Sequence, residues 1–453
     1  MDNNQRSNIG YLGRASYSYA DRYFFTGSYR RDGASVFGAN QKWGDFFAFG
    51  GAWRLSGEKF MEPISYLDDL KLKLSWGKNG NQGLDPYGTL STINNGASGG
   101  VRYEFGGSDI IYGLNQKALG NANLGWETTE SWNTGFESAW LGNRLFVDLD
   151  LYFSKTTDQI FTRDIPVMTG FKNMKSSMGQ VNNRGVELTI RSVNIDTKDW
   201  HWMTNLTFWL NRNKLTHLYG DDLDGDGKED DDISNSRFIG KPLGAIYGYQ
   251  QDGIVQESDV EYMEANGATP GIPKYKDMDG DGVITSSDRV ILGYSTPNFK
   301  LNMSNTITYK NWDLYFMLTG TFGGGGYYQK SNSGAYLTNG SGRFNTNGIY
   351  IPWWTPENKS NEYPSATFNG DGGRFLGLQN RAFVRLQDVT LSYTFREPWV
   401  QKVNIQNLKV FFTAKNLFTI TNWQGGDPEV GVTVSENTYP VLTSFSLGAN
   451  ISF

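Results

Sequence analysis

The sequence predicts an all-β chain, and within that class a transmembrane antiparallel β-barrel wall of about thirteen strands. Three observations predict it. Apolar and small polar residues alternate with period two along many segments, so each segment presents two chemically different faces. The segments run to about ten residues, the length at which a tilted strand crosses a bilayer. The connections between them are short and long by turns. Composition agrees: 15% of the 453 residues are aromatic and 55 are Gly, yet the average hydropathy is negative. Gly and aromatics are mediocre helix formers, and disordered chains are depleted in aromatics.

In chain order, the N-terminal segments are Ile9–Tyr19, Tyr23–Arg31 and Phe46–Leu55, rich in Tyr and Phe at alternate positions. Leu70–Trp76 alternates Leu with Lys and Ser, and Trp132–Trp140 follows. In the next segment Leu145, Val147, Leu149, Leu151 and Phe153 oppose Asp148, Asp150 and Ser154. Val186–Asn194 comes next, and then Trp200, Trp202, Leu206, Phe208 and Leu210 oppose His201, Asn205 and Thr207. Phe299–Tyr309, Trp312–Thr321, Asp388–Phe395 and Leu408–Lys415 repeat the pattern. It is clearest in Leu442–Phe453, with Phe445, Leu447, Ala449, Ile451 and Phe453 against Ser444, Ser446, Gly448, Asn450 and Ser452.

A soluble β-sandwich also alternates. Against it stand the strand length, the small polar face suited to a wet lumen, and aromatics near strand ends. Trp126, Trp140, Trp200, Trp312, Tyr19 and Tyr23 sit where an interfacial girdle would lie. The short connections are Ala20–Arg22, Leu141–Arg144, Ile195–Asp199 and Lys310–Asn311, with Ser56–Asp69 and Arg396–Asn407 of medium length. The long ones are Asp32–Lys42, Gly77–Gly125, Lys155–Gln180, Asn211–Asn298, Phe322–Ala382 and Asn416–Val441. Tight inner turns and long outer loops are the pattern of an outer-membrane barrel. With an odd number of strands and a last strand running inward, the first also runs inward. An ascending strand is therefore expected before it, and residues 1–453 are expected to be the C-terminal portion of a barrel.

Other classes are excluded. The net charge is −6 with no basic block, which argues against nucleic acid. Cys is 0, so disulfides, thiolate metal sites and thiol catalysis drop out, and His is 2. No apolar run reaches the roughly 18 residues of a membrane helix, and the residues after Met1 lack the apolar core of a signal peptide. No G-x-S-x-G word supports a hydrolase, and His201 and His217 have no partner spacing, so an enzyme is not expected.

A set of words in order along nearly the whole chain carries a family resemblance. They include GRASYSYADRYFFTGSYRRDGASVFG (13–38), WRLSGEKFM (53–61), LKLKLSWGKNGNQ (70–82), WETTESWNTGFE (126–137), NNRGVELTI (182–190) and GAIYGYQQDGIVQ (244–256). KYKDMDGDGVITSSDRVILG (274–293), WWTPENKSNEYP (353–364), LQDVTLSYTF (386–395) and NLKVFFTAKNLFTITNWQGGDPEV (407–430) complete the set. The chain resembles the C-terminal half of a SusC/RagA-type TonB-dependent outer-membrane transporter, the glycan and peptide importers of Bacteroidetes. The resemblance implies a barrel of about 22 strands, a location in the outer membrane among its lipids, and a SusD-like surface lipoprotein over the outer loops. It also implies energy from TonB–ExbB–ExbD acting through a plug domain. No counterpart of the family's N-terminal signal, TonB-binding box, plug or early strands is expected within these residues. Phe453, as a terminal aromatic, resembles the signal read by the barrel-assembly machinery. The cargo is expected to be an oligosaccharide, with peptide second; the rival class is a surface glycan-binding or adhesin β-protein without transport.

The sharpest local motif begins at Asp277. Oxygen ligands at Asp277, Asp279 and Asp281, Gly282 for the sharp turn, the Val283 carbonyl and Asp288 at the twelfth position fit a Ca²⁺ loop of EF-hand type, with Ile284 pinning the loop to a core. A second acidic run, Asp222, Asp224 and Asp226, has Ile233 at its twelfth position and is expected to be a solvated loop. Tyr327, Tyr328, Tyr350, Trp353, Trp354 and Tyr363 are candidate contacts for substrate or partner, against the alternative of loop packing. Gly323–Gly326 is expected to act as a hinge. Asp148, Asp150, Glu187, Arg191 and Asp388 are expected to face the lumen in ion-pair and hydrogen-bond networks.

Overall fold

The computed structural model describes residues 4–95, 102–104, 110–171, 173–331, 352–365, 368, 375–396, 399–400, 405–424, 427–429 and 441–453. Among them, thirteen strands share one antiparallel sheet in which each pairs with its neighbours in the chain. They are β1 (Asn8–Tyr19), β2 (Tyr23–Ala34), β3 (Trp43–Arg54), β4 (Leu67–Asn81), β5 (Glu127–Trp140), β6 (Leu145–Asp164), β7 (Asn173–Asp196) and β8 (Trp200–His217). Then follow β9 (Phe299–Tyr309), β10 (Trp312–Phe322), β11 (Phe383–Phe395), β12 (Asn407–Thr421) and β13 (Ser444–Ser452). All thirteen alternating segments of the sequence are therefore strands of this sheet. Contacts divide the chain into two units. One holds residues up to Ser192 and Trp209–Leu243; the other holds Val193–Phe208 and Gly244–Phe453.

Three of the four short connections, Ala20–Arg22, Leu141–Arg144 and Lys310–Asn311, are tight because their residues accept left-handed backbone. Ala20 and Asp21 both have φ of 53°, Leu141 and Asn143 have 56° and 61°, and Lys310 has 52°. Positive φ at these positions matches the strands' right-handed twist. Tyr309 pairs with Trp312 across two residues, Lys310 and Asn311.

The long connections differ from expectation. Much of Lys155–Gln180 is hairpin rather than loop: Gln159 pairs with Gly179 and Asp164 with Asn173, after an irregularity beyond Thr156 where Asp158 has φ of 57°. In this extension the neighbouring Ile160 and Phe161 pack into two different apolar clusters while the residues around them are mostly polar, so period-two alternation fades while backbone pairing continues. Similarly, β8 runs on to His217 and β12 to Thr421.

In the first unit, register keeps one face apolar. Phe49 pairs with Trp76, Gly51 with Leu74 and Trp53 with Leu72, and farther on Leu149 pairs with Leu188 and Leu151 with Val186. At the short-turn end Tyr23 lies 6.3 Å from Trp53, and Tyr66 stacks 5.9 Å from Trp140. In the second unit the same end carries Trp200 beside Tyr309 at 4.4 Å and Trp312 beside Tyr393 at 4.8 Å. Trp126 does not join such a belt. It packs on Phe37 at 4.8 Å and Phe46 at 5.4 Å, against buried Ala34, Val36, Leu84 and Leu124, because its strand end folds under the 34–41 turn.

A nearly fully buried amide lies on the apolar face of the second unit. Asn305 alternates with Met303 and Ile307 yet is only 4% exposed. Its Oδ1 accepts from Trp202 Nε1 at 2.9 Å and from the Thr204 hydroxyl at 2.6 Å. A lone amide oxygen facing lipid would be costly; two donors make it tolerable. Asn305→Leu removes the acceptor from both donors and should cost about 1–3 kcal/mol. Trp202→Phe on that background should recover part of the loss, as read from urea midpoints in detergent. Equal midpoints for the single and double variants would contradict this role.

Candidate functional site

The face opposite the apolar one is built from small polar residues and paired charges. In the first unit Lys73 on β4 reaches Asp148 at 2.9 Å and Asp150 at 3.1 Å on β6, and Glu137 on β5 at 3.2 Å. Lys71 holds the other oxygen of Glu137 at 2.9 Å. Glu187 stands opposite Asp150 in register, and the Arg191 guanidinium lies 5.2 Å from the Phe146 ring. In the second unit Asp313 on β10 takes Lys409 at 2.8 Å and the Thr308 hydroxyl at 2.8 Å. Asp388 accepts from Thr390, which shares a hydrogen bond with Thr413. Sequence alternation thus located these acids, while Lys71, Lys73, Asp313 and Lys409 were not singled out, because pairing across strands depends on register.

Two clefts open on the first unit's polar side. One, of about 820 Å³, is lined by Arg6, Arg30, Asp32, Asn79 and Gln82 with Phe46 and Trp126. The other, of about 630 Å³, lies nearer the short turns, between Arg54, Asp69, Glu137, Asp148 and Arg191.

The motif at Asp277 closes as a compact loop. Carboxylate oxygens of Asp277, Asp279 and Asp281 lie within 4.8 Å of one another. Asp277 accepts from Gly280 N at 2.6 Å and Gly282 N at 2.7 Å, and Asp281 accepts from Val283 N at 2.8 Å. Gly280 and Gly282 take φ of 81° and 86°, which a side chain would strain. Desolvation, with the nearby like charges of Asp281, Asp288 and Asp277, pushes the Asp279 carboxyl up. Asp288 is fully buried and holds the loop's two ends: one oxygen accepts from Met278 N and the other from Thr285 N, both at 2.7 Å. Those backbone hydrogen bonds hold its carboxyl below the usual range. A short helix, α1 (Val260–Asn266), supplies a brace that the sequence did not signal, since Asn266 lies outside the motif: its Oδ1 accepts from Ile284 N at 2.6 Å.

The second acidic run adopts the same turn. Asp222, Asp224 and Asp226 also bring their oxygens within 4.8 Å, and Asp222 accepts from Gly225 N and Gly227 N at 2.8 and 3.0 Å. Asp230 accepts from Leu223 N at 2.6 Å, the counterpart of Asp288 on Met278. Glu229 turns inward onto Leu218 N, Gly220 N and His217, each at 2.7 Å. His201 pairs with Asp196 at 2.6 Å.

The aromatic candidates divide. Trp354 is 8% exposed; its ring covers Gly271 and its Nε1 donates to Gln256 at 2.9 Å, so it packs the 251–276 lobe and is not presented as a contact ring. Trp353 and Tyr363 are half-buried. Tyr350 and the side chains of Tyr327 and Tyr328 lie outside the described residues. Gly323 and Gly324, with φ of 78° and 84°, turn the chain from β10 into a hairpin pairing 325–331 with 375–380.

Because the folded Asp288 carboxyl is held low, its contribution is complete above the ordinary Asp range, near 3.9, and is lost as pH falls through the lower folded value. Amide protection of Met278 and Thr285, corrected for intrinsic exchange, should therefore persist at pH about 5 and collapse in stronger acid. Asp288→Ala, which leaves neither acceptor, should remove it at all pH values. Protection unaffected by acid or by that substitution would refute the assignment.

The profile described as TonB dependent receptor-like, β-barrel, matches residues 1–417. TonB-dependent receptor SusC of Bacteroides thetaiotaomicron is 31% identical, over 98% of this chain and 44% of its own length. A TonB-dependent receptor of Formosa agariphila is 29% identical over 99% of this chain and 46% of its own. The chain thus spans about half the length of the curated relatives it matches. Among solved structures, the RagAB peptide transporter superposes with a TM-score of 0.78 at 24% identity, covering 99% of this chain and 47% of that one, a likeness of fold. The alternating sheet, its girdled apolar face and its polar inner face are those of an outer-membrane barrel wall, and the chain belongs to the TonB-dependent receptor-like β-barrel family, a family of receptors and transporters rather than enzymes.

Proposed function

We propose that the chain forms the wall of an outer-membrane importer of SusC type that takes up a large nutrient, an oligosaccharide in the first place. The observation that carries this reading is the polar face. Its charges are largely neutralised in pairs such as Lys73 with Asp148 and Asp150, and Lys409 with Asp313. Between them lie hydroxyls and amides, including the Thr129–Thr156 and Thr390–Thr413 pairs. Such a wall offers hydrogen bonds to a neutral polyhydroxylated cargo without a strong field of either sign. Peptide is the second reading, supported by the likeness of fold to the RagAB peptide transporter. Import would use a SusD-like lipoprotein over the outer loops and TonB–ExbB–ExbD for energy, and assembly would use the barrel-assembly machinery.

Deleting the gene should abolish growth on one oligosaccharide or peptide source while growth on its monomers continues. Undiminished growth on every such source would support the rival reading, a surface glycan-binding protein without transport.

The loop at Asp277 fits a hard cation: three carboxylates converge, and the Val283 carbonyl follows Gly282 at the turn. Calcium held by Asp277, Asp279, Asp281 and Val283 would offset the desolvation and like-charge crowding that raise the Asp279 carboxyl, and would order an outer loop. Asp288, with both oxygens already on backbone amides, would act first as the loop's clasp. Calorimetry should show Ca²⁺ binding that falls at least tenfold on Asp279→Asn with Asp281→Asn; unchanged binding would dismiss the site.

A further inference from the structure

The apolar face of the first unit ends, on its long-loop side, in basic residues. On β6 and β7 the register runs Leu149 with Leu188, Leu151 with Val186, Phe153 with Arg184 and Lys155 with Asn182. The same face that carries aliphatic side chains for most of its height therefore switches to cations at Arg184 and Lys155. On the adjacent β8, Asn211 takes the Tyr152 hydroxyl at 2.9 Å and reaches Asn183 at 3.3 Å on the polar side. Alternation then puts Leu210, Arg212 and Lys214 on the apolar side. Arg184, Arg212 and Lys214 are exposed and Lys155 is half-buried. Among the described residues Lys155, Arg184 and Lys214 have no carboxylate within ion-pair distance, and Arg212 donates to its neighbour's carbonyl.

The acids nearby are engaged elsewhere. Glu130, opposite Lys155 on β5, accepts from Trp76 Nε1 at 2.7 Å. Asp221 pairs with Arg163, and Asp232 with Arg237 at 3.1 Å. Four cations thus gather on one patch of a chain whose net charge is −6. From Leu145 to Phe153 the face is apolar for about the ten residues that span hydrocarbon, and exposed Phe153 and Trp132 mark the boundary. Lys155 and Arg184 sit at the level where headgroups begin.

We propose that Lys155, Arg184, Arg212 and Lys214 form a binding site for the phosphate groups of an anionic amphiphile in the outer leaflet. Guanidinium and ammonium donors meet phosphate oxygens, while Phe153, Leu151 and Val186 below them take the acyl chains. The site lies on the lipid side of the wall and is independent of what passes along the polar side.

The test is native mass spectrometry of the detergent-extracted protein titrated with diphosphoryl lipid A and with its dephosphorylated form. The wild type should hold the phosphorylated lipid at least tenfold more tightly. Lys155→Gln with Arg184→Gln and Lys214→Gln should lose that preference, whereas Arg184→Lys should keep most of it. Should the triple variant not fold, the wild type alone decides: ionic strength of about 0.5 M should release the lipid. Equal binding of the two lipids, a triple variant that binds as wild type, or salt-insensitive retention would overturn the proposal. Displacement by millimolar inorganic phosphate would overturn the lipid assignment by showing a site for free anion.

Discussion

The structure depends first on the absence of water at the strands' level. A peptide group in hydrocarbon finds no solvent partner, so every backbone N–H and C=O there must be paired within the sheet. Pairing each strand with its neighbours in the chain is the most local way to meet that demand. It requires reversals short enough to keep adjacent strands in register from the first residue. Ala20, Asp21, Leu141, Asn143 and Lys310 accept left-handed backbone to provide them. The strain of a side chain at positive φ is small beside the cost of an unpaired ladder in lipid.

Once the backbone is satisfied, side chains sort by face. Lys73 with its three carboxylates is stable on the polar face because all four groups are also near water. Asn305 shows the stricter rule on the other side. Its amide survives at 4% exposure because Trp202 and Thr204 supply donors from the adjacent strand. The indole both makes the bond and covers it, so one side chain provides the hydrogen bond and the apolar surface at once.

Strand positions were legible in the sequence because burial on one face and water on the other write a period-two signal. Phe299–Tyr309 matches the observed strand end for end. The signal fails where one face is not apolar throughout: in the hairpin within Lys155–Gln180 the adjacent Ile160 and Phe161 pack into separate clusters among polar neighbours, so the segment reads as loop. It fails also where tertiary packing recruits a residue: Trp126 and Trp354 look like surface aromatics, yet one lies against Phe37 and Phe46 and the other over Gly271. Neither partner is near in sequence. Ion pairs such as Lys73 with Asp148 required the register of three strands.

The two acidic loops show a subtler limit of motif reading. Up to the seventh residue they make the same hydrogen bonds, with the first Asp receiving two glycine amides in each. They differ in where the closing carboxylate falls: Asp288 is the twelfth residue of its loop, whereas Asp230 is the ninth of its own, and each accepts from the N–H of the second residue. A pattern that demands an acid at the twelfth position passes one loop and rejects the other. The shared interaction is nevertheless a clasp between a carboxylate and a backbone amide. The converging carboxylates follow from the Asp-Gly turn, and the clasp that holds the turn shut can be reached through more than one length of chain.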